Sequence, residues 1–388
     1  MVFVSITGRV LINLEALNMV ESVGNVVRHR RAPIIIPTDQ GYIQAYVPVI
    51  SGECLAHAFQ VNLAKLADGE GLPVCKFCRQ GIFLKHAEAN VFNVLYGQNF
   101  SGRNVDQQIG NYCARQLGWS TDNLTNVHRI CATEFFVIRN CVVEDVGGFL
   151  QTETTTKRTS CIQFGYMVPA YDMVEKIALE PQFHVRYHYD PKQHAPFYIE
   201  TGSSLYVYYV NFELDRVARL SNIVNDLVRL DENDGQKKRV ELAMRALYRT
   251  LCLFDFGAHR SRNLPHVQTE AIIALLCKGS DRLSVVPLHK DVKKTLKEVI
   301  NLVKNYISLF SVDKEKIVIY VYPKVETEES DLVIKKCGSP HELYQKLIQD
   351  SCKALPTVTP KTPADIKQSI DQLLESAEGR GRGRRTRG

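Results

Sequence analysis

The stretch "SITGRVLINLEAL" at residues 5–17 is the strongest indication of the fold class, because apolar and polar side chains alternate along most of its length. One face of the stretch carries Ile6, Val10, Ile12 and Leu14, and the other carries Ser5, Thr7, Arg9 and Asn13. A period of two residues is typical of a strand that buries one face. We therefore predict that the chain begins with a half-buried β-strand.

Helices and further strands follow this first strand. Ser51 can cap a helix whose apolar residues recur at helical spacing and whose end suits Gly69. The stretch at 289–310 places valine, leucine and isoleucine along one stripe, which predicts an amphipathic helix. Strands are predicted at 203–214 and 315–325. Together these elements predict the α+β class.

The middle of the chain predicts insertions into one domain that spans residues 1–354. Residues 70–128 mix Gly, Asn and Gln with short helical patterns, which indicates a helical, finger-like insertion. The run "CATEFFVIRNCVVED" at 131–145 predicts a strand. Turn residues and alternating patterns predict hairpins at about 145–160 and 180–200.

The amino-acid composition of the sequence changes after residue 354. Residues 355–363 form a proline-rich linker, and 364–378 predict a short amphipathic helix. The last ten residues, 379–388, hold five arginines between glycines and predict a disordered tail. Because the formal net charge of the whole chain is +6, the body without this tail is nearly neutral. A polyanion site in the body must therefore be a local concentration of charge.

Composition limits the class of protein. The 388 residues are 45% hydrophobic and 23% charged, which is typical of a globular protein. No apolar run approaches the ~18 residues that a membrane helix needs. The eleven cysteines are odd in number and mostly isolated, so we predict a reduced, cytoplasmic setting.

A basic stretch follows the first strand, "NMVESVGNVVRHRRAP" at 18–33. Its candidate anion-binding residues are Asn18, Asn25, Arg28, His29, Arg30 and Arg31. Arginine offers a planar fork of donors to phosphate oxygens, so we favour an anion-binding role over a solvated loop or a salt-bridged face. No acid lies between Glu21 and Asp39, which argues against local neutralisation.

Further basic residues lie next to regular elements in other parts of the chain. The candidates are Ser51, Gly52 and His57 at a helix start, Lys157 and Arg158 after a glycine pair, His184 and Arg186 in a hairpin rich in aromatic residues, and Arg260 and Arg262 beside Gly257. Helix N-termini and aromatic–basic strands are typical of phosphate and base contacts. A plain helix cap and a strand with a buried aromatic face are the structural alternatives.

The motif "CKFC" places Cys75 and Cys78 at metal-ligand spacing, with His86 and Cys113 as candidate further ligands of a zinc ion. A second CxxC motif is absent, so the alternative is a pair of structural thiols. No other cofactor is predicted. The sequence contains no phosphate-binding loop, no HExxH, no GxSxG and no paired-carboxylate metal motif, which argues against an enzyme.

Four ordered motifs carry a family resemblance: "ALNMVESVGNVVRHRRAP", "VPVISGECLAHA", "KRTSCIQFGYMVPA" and "GAHRSRNLPH". With them the chain resembles the DevR-type CRISPR-associated proteins of the RAMP superfamily, and more narrowly the backbone subunit of archaeal type I-A Cascade, over about residues 4–290. The resemblance implies a modified RRM-like (ferredoxin-like) palm with an inserted thumb and finger-like lobes. One of the two predicted hairpins would be the thumb.

The resemblance also implies partners and a function. Copies of the chain would polymerise helically along a guide CRISPR RNA, hold its sugar-phosphate backbone, and leave bases free to pair with target DNA beside other Cascade subunits. Asn18 and Arg28–Arg31 fall in the first motif. Ser51, Gly52 and His57 fall in the motif that faces RNA phosphates, and Lys157, Arg158 and Arg260 fall in the remaining two.

Two other functions stay open from the sequence. Related RAMP subunits cut bound RNA with an acid in a loop, for which Asp190 or Asp145 are the candidates. A DNA-binding autoregulator is the other alternative, although no helix-turn-helix pattern supports it.

Overall fold

The computed structural model describes residues 2–187, 189–190, 194–221, 235–279, 282–326, 330–356 and 362–385, with side chains of the last range as far as residue 376. The chain forms two compact units. Unit 1 contains residues 1–59, 162–213 and 247–354, and unit 2 contains residues 60–161, 214–246 and 355–388. Within the described residues, no helix is both long and apolar enough to cross a membrane.

The secondary structure mixes strands and helices, so the predicted α+β class is confirmed. The strands are β1 (Val2–Glu15), β2 (Met19–Val23), β3 (Val26–His29), β4 (Arg31–Thr38), β5 (Gly41–Pro48), β6 (Phe149–Gln151), β7 (Thr156–Arg158), β8 (Ile162–Phe164), β9 (Val168–Pro169), β10 (Ala178–Tyr187), β11 (His194–Glu213), β12 (His266–Lys278), β13 (Ile317–Tyr322) and β14 (Val333–Lys336). The α-helices are α1 (Gly52–Gly69), α2 (Lys76–Arg79), α3 (Ala89–Tyr96), α4 (Val105–Gln116), α5 (Asn126–Asn140), α6 (Val142–Gly147), α7 (Gln236–Leu251), α8 (Val292–Phe310), α9 (Pro340–Ala354) and α10 (Pro363–Arg385). Short 3₁₀ turns cover Tyr171–Lys176, Leu214–Arg216 and Lys314–Lys316.

Unit 1 is built on one mixed sheet with the order β14-β13-β12-β1-β11-β3-β2, and β8, β9 and β10 also pair with β11. The neighbours β13, β12, β1 and β11 are antiparallel throughout. The outer pairs β13–β14 and β11–β3 are parallel. The first strand therefore lies in the centre of the sheet.

The central position of β1 corrects two predictions. The strand is buried on both faces, because the segment 283–288 covers its polar face and donates backbone hydrogen bonds to Ser5 and Thr7. The register of β1 against β11 shifts between Ile12 and Glu15, and Leu14 adopts a left-handed φ of 58°. Leu14 is consequently exposed rather than on the apolar face, and Glu15 is buried in its place.

Helices cover both faces of the sheet in unit 1. The stripe of α8, with Leu296, Val299 and Val303, packs into the core with β12 and β13. On the other face Tyr208 of β11 is fully buried, and a Cβ at Gly8 would lie 2.3 Å from its ring. Glycine at position 8 therefore makes room for this ring.

Two hairpins extend the sheet system of unit 1. β10 and β11 pair over ten residues, from Ala178–Ser203 to Tyr187–His194. Since β1 pairs with β11 only as far as Gly202, this hairpin continues beyond the end of β1. The second hairpin, β4–β5, forms its own two-stranded sheet after the basic stretch. Part of the tip of the predicted hairpin at 180–200, residues 188 and 191–193, lies outside the described residues.

Unit 2 is mainly helical and has its own buried residues. The prediction of a strand at 131–145 is wrong, because this run forms α5 and α6. Thr125 and His128 form a capping box that starts α5, and most residues of α5 are buried. A helix buried on most sides carries a continuous apolar run, which sequence periodicity cannot separate from a buried strand.

The predicted domain limits also change. Residues 60–161 lie in sequence between two segments of unit 1 and belong to unit 2, so the stretch predicted as a helical insertion at 70–128 is part of a longer inserted segment that includes 129–161 and the β6–β7 hairpin. The last helix runs from Pro363 to Arg385, so the backbone of 379–385 is helical and not disordered as predicted. The helix starts at the Thr362 cap, and in its last part arginine, a good helix former, alternates with three glycines. Residues 357–361 of the linker and 386–388 of the tail lie outside the described residues.

Candidate nucleic-acid interface

Asn18 connects two parts of the first predicted motif with the second motif, all within unit 1. Its side-chain carbonyl accepts a hydrogen bond from the Ser51 N–H at 2.8 Å, and its backbone carbonyl accepts one from Arg30 at 2.9 Å. The Arg30 carbonyl in turn accepts from Val49 at 3.0 Å. The basic stretch and the start of α1 are thus held together largely by backbone groups.

The fourth motif, in the loop after α7, contacts the same place. The Ala258 N–H donates to the Leu17 carbonyl at 3.1 Å. Gly257 has a φ of +105°, and a Cβ there would lie 2.4 Å from Leu17 Cδ2. Only glycine allows this close approach. We call the segments 17–18, 28–31, 49–52 and 257–262 the basic junction.

His29 lies inside the basic junction and corrects a prediction. Its Nε2 lies 2.5 Å from Glu15 Oε1, and both side chains are fully buried. Burial lowers the pKa of His29, but the hydrogen bond and charge of Glu15 outweigh it, with the Arg30 carbonyl and Glu200 adding to them, so the pKa is raised. His29 is therefore a structural cation and is not available to a phosphate.

The three arginines of the basic stretch differ in their surroundings. Arg28 is exposed, and Arg31 is half-exposed with its Nη2 2.9 Å from Glu200 Oε1. The expected lack of a neutralising acid is therefore wrong for Arg31, because Glu200 comes from β11 rather than from the adjacent sequence. Arg30 is partly buried, and its positive charge acts on the Cys54 thiol of α1, whose pKa burial raises to about 11.

The start of α1 is already capped by the protein. Ser51 Oγ accepts from the Cys54 N–H at 3.2 Å, and the Ser51 N–H is bound to Asn18. A Cβ at Gly52 would lie 2.5 Å from the Phe164 carbonyl oxygen, so Gly52 serves close packing. The Ser51 amide is therefore used inside the protein, and the prediction that the Ser51 hydroxyl and the Gly52 N–H donate to a phosphate stays a prediction. His57, further along the helix, is exposed.

The loop after α7 adds two arginines. Arg260 pairs with Asp255 at 2.7 Å, and Arg262 is exposed. Four basic side chains of unit 1 retain buried nitrogens that lack a hydrogen-bond partner within the described residues: Arg30 Nε, His184 Nε2, Arg260 Nε and His289 Nδ1. A buried donor without a partner costs free energy, and because these nitrogens are buried they do not belong to the exposed surface.

The β10–β11 hairpin carries an aromatic–basic face. His184 stacks on Phe197 with ring centroids 5.2 Å apart, and Arg186 Cζ lies 4.5 Å from the centre of the same ring. Alternate residues of a strand share a face, so Phe183 and Tyr187 lie on the opposite one. Both are exposed. The middle of the hairpin lies beside β3, since β3 pairs with β11 at Val26–Tyr198 and Val27–Ile199, and β3 ends in the basic junction at His29.

Lys157 and Arg158 belong to unit 2 and have different roles. Lys157 is exposed, whereas Arg158 is buried and its guanidinium is fully engaged. It donates to Glu134 at 3.0 Å and to Asp145 Oδ1 at 2.5 Å, and it also reaches the carbonyls of Arg216 and Arg219. The prediction that Arg158 binds RNA is wrong, because its donors are used inside the protein.

The hydrogen bonds around Arg158 also show the role of Asp145, one of the two candidate acids for RNA cleavage. Both carboxylate oxygens of Asp145 accept hydrogen bonds, from Arg158, Arg239 and the Ala218 N–H. Asp145 is therefore a structural anion. Asp190 lies between β10 and β11 and is partly exposed.

The side chains that lie next to the CKFC motif differ from the predicted further zinc ligands. Cys75 and Cys78 lie with Cys141 and Glu144, and the four candidate ligand atoms are all within 4.8 Å of one another. His86 does not join them directly but contacts Glu144 Oε1 through Nδ1 at 2.7 Å. The expectation of Cys113 as a ligand is not supported within the described part of the chain, since it lies outside this group.

Two acids and an aromatic residue that organise the site, Glu15, Glu200 and Phe197, were not predicted from the sequence. Glu15 stands out in the sequence as an acid at the end of an apolar strand. The register shift that turns its side chain inward could not be predicted from the sequence. Glu200 and Phe197 meet their basic partners only through the pairing of β11 with β3 and β10.

The chain is similar in sequence to known CRISPR-associated proteins. Residues 6–298 match the family model of the CRISPR-associated negative auto-regulator DevR/Csa2. The chain is 34% identical over 340 residues to the CRISPR-associated aCascade subunit Cas7/Csa2 2 of Saccharolobus solfataricus, covering 84% of this chain and 97% of that protein. It is 32% identical over 330 residues to Cas7/Csa2 1 of the same organism, covering 82% and 92%.

A solved structure is also similar to this chain. A chain of a CRISPR RNA-guided surveillance complex, pre-nicking, aligns over 90% of this chain and 100% of its own length, with a TM-score of 0.45 and 10% identity.

Proposed function

Because the chain belongs to the DevR/Csa2 family of CRISPR-associated proteins, we propose that it is the guide-RNA-binding backbone subunit of a type I-A Cascade complex in antiviral defence. A relative of 34% identity is named an aCascade subunit, which supports membership of such a complex. Other Cascade subunits and further copies of the chain are then its protein partners.

The observation that carries the RNA-binding proposal is the cluster of arginines in the basic junction. Arg28 and Arg262 are exposed, and Arg31 is half-exposed beside Glu200. Arginine forks suit the phosphate oxygens of a nucleic-acid backbone. A guide-RNA holder must accept any spacer sequence, so contacts to phosphate and sugar fit this role and leave bases free to pair with target DNA.

We assign the parts of the family architecture by topology and by length. The sheet of unit 1 is the modified RRM-like palm, and the helical unit 2 supplies the finger-like lobe. The β10–β11 hairpin is the thumb, because its ten paired residues span roughly 34 Å whereas β6–β7 pairs over only three residues. The exposed rings of Phe183 and Tyr187 give it aromatic surfaces on which a base can stack.

The distribution of charge agrees with polymerisation along RNA. Five of the six net positive charges lie in the last ten residues, so the body of each copy is nearly neutral. Neighbouring copies in a filament then repel each other little, while the local charge of the basic junction is neutralised by RNA. A reduced, cytoplasmic setting fits the eleven free cysteines.

We propose that the chain is not an enzyme. Asp145 is engaged by Arg158 and Arg239, so it is not free to hold a catalytic metal. Asp190 is the remaining candidate for RNA cleavage. Incubating the RNA-loaded protein with complementary RNA and Mg²⁺ tests this point, and regularly spaced cuts that disappear in Asp190→Ala would overturn it. Footprinting on the promoter of its own gene tests the autoregulator alternative, for which a protected site would be the positive result.

Copurification is the direct experiment for the main proposal. The full chain is expressed in a host that carries a CRISPR array, isolated at low salt, and its bound nucleic acid is sequenced. We expect short RNAs of guide length with many different spacer sequences. Bound DNA of one sequence, or no nucleic acid at all, would contradict the proposal.

A further inference from the structure

The four side chains of Cys75, Cys78, Cys141 and Glu144 form a closed group inside unit 2. Their ligand atoms lie within 4.8 Å of one another, and all four residues are buried. In a tetrahedral zinc site with Zn–S bonds near 2.3 Å, ligand sulfurs are separated by about 3.8 Å. We propose that these residues hold a structural Zn²⁺ ion.

The local backbone around Cys75 supports this assignment. Cys75 is the N-cap of the short helix α2, and its Sγ accepts a hydrogen bond from the Cys78 N–H at 3.5 Å. The CxxC spacing therefore turns both sulfurs to the same side of one tight turn. An N–H donor aimed at a sulfur favours the thiolate, which is the form that binds zinc.

The second pair of ligands comes from the break between α5 and α6. Cys141 has extended backbone angles between the two helices, and Glu144 lies three residues further on in the first turn of α6. Residues at this spacing face the same side of a helix. The Val142 N–H donates to the Pro73 carbonyl at 2.9 Å, which fixes this break against the segment that leads to Cys75.

The surroundings of Glu144 resemble an outer shell of a metal site. The His86 backbone N–H donates to Oε2 at 2.9 Å, and His86 Nδ1 lies 2.7 Å from Oε1. The other ring nitrogen, Nε2, contacts the Tyr96 hydroxyl at 2.7 Å. Such partners fix the orientation of a ligating carboxylate. Lys85 donates to the Gly147 and Gly148 carbonyls at the end of α6 and adds nearby positive charge.

The chemistry of the donors selects the metal. Three sulfurs and one carboxylate oxygen in a four-ligand group suit zinc, whereas magnesium and calcium need oxygen ligands. All four ligands come from the protein, which is typical of a structural rather than a catalytic zinc. On binding, the thiols release their protons to solvent, and the metal-binding free energy stabilises the folded unit.

The test uses the full chain produced in zinc-supplemented medium. Elemental analysis is expected to give one zinc per chain, and Co²⁺ added to the chelator-stripped protein is expected to give thiolate charge-transfer and tetrahedral d–d bands. Cys113→Ala removes another buried thiol of unit 2 and is the matched control, which should keep the metal. Cys141→Ser should lose it.

A second variant, which keeps all four proposed ligands, keeps the proposal testable if Cys141→Ser does not fold. His86→Gln leaves the four ligands in place and is expected to weaken zinc binding by about 10–100-fold. Wild-type protein that contains no zinc and gives no cobalt bands would overturn the proposal, as would a disulfide between Cys75 and Cys78 in freshly isolated protein. Equal zinc contents in Cys141→Ser and in the Cys113→Ala control would also overturn it.

Discussion

The Asn18 side-chain carbonyl accepts a hydrogen bond from the Ser51 backbone N–H at 2.8 Å and thereby joins the end of the first strand region to the start of α1. Both residues are buried. The backbone carbonyl of Asn18 also accepts a hydrogen bond from the Arg30 N–H, so Asn18 is a positioning residue of the basic junction. It holds the segments of the proposed RNA-binding surface together and does not need to contact RNA itself.

Asn18→Ala is expected to lower the free energy of unfolding by about 1–3 kcal/mol, because it leaves the Ser51 N–H buried without an acceptor. Urea denaturation measures this change. Asn25→Ala is the matched control, because the Asn25 side chain is exposed and its backbone carbonyl is the group that is bound. Equal midpoints for the two variants would contradict the role of Asn18.

The buried pair of His29 and Glu15 predicts a pH-dependent stability. Since the folded-state pKa of His29 is raised, the pair contributes fully below the unfolded value of about 6.5 and loses its contribution as pH rises through the folded value. The difference in unfolding free energy between wild type and His29→Gln should therefore shrink as pH rises. A difference that grows with pH would refute the pairing.

Gly52 is predicted to be intolerant of any side chain. Gly52→Ala places a Cβ 2.5 Å from the Phe164 carbonyl oxygen, a backbone atom that cannot rotate away. We expect a loss of about 1–3 kcal/mol in the free energy of unfolding. Gly69→Ala in the same helix has no atom within 4 Å of the new Cβ and should be neutral or stabilising. A wild-type thermal midpoint for Gly52→Ala would show that the close approach to Phe164 is absent.

Arg158 is predicted to act in stability rather than in RNA binding. Arg158→Met leaves the buried carboxylates of Glu134 and Asp145 without this partner and should cost about 3–5 kcal/mol. Lys157→Met, at the exposed neighbouring position, should change stability by less than about 0.5 kcal/mol. Chemical denaturation of both variants decides the point, and similar small losses would mean that Arg158 behaves as a surface residue.

Local patterns predicted the parts of this fold that depend on local physics. The cap at Ser51, the end of α1 at Gly69 and the stripe of α8 all follow from helix geometry. The prediction of a strand at 131–145 was wrong because burial on most sides of α5 removes the periodicity that separates a helix from a strand. Strand order within the sheet also lay beyond local patterns, because the neighbours of β1 are about 190 to 280 residues away in sequence.

The residues of the candidate site were likewise predictable from local sequence but their distant partners were not. The arginines of the basic stretch were recognisable by composition, but His29 and Arg31 are paired with Glu15 and Glu200, which arrive through a register shift and through β11. Sequence distance therefore misjudged which charges are free. The proposed zinc ligands Cys141 and Glu144 were missed for a similar reason, because they follow Cys75 by more than 60 residues.

The salt dependence of RNA binding tests whether the basic junction holds the guide RNA. Affinity for single-stranded RNA of guide length and mixed sequence is measured by fluorescence anisotropy across a KCl series. The variant with Arg28, Arg30 and Arg31 changed to alanine should bind more weakly, with a log–log slope reduced by about 0.7 for each phosphate that is no longer neutralised. The control changes three exposed lysines of α8, Lys293, Lys294 and Lys304, to alanine. We expect a shallower slope for the arginine variant alone, and a slope equal to that of the lysine control would contradict RNA binding at the basic junction.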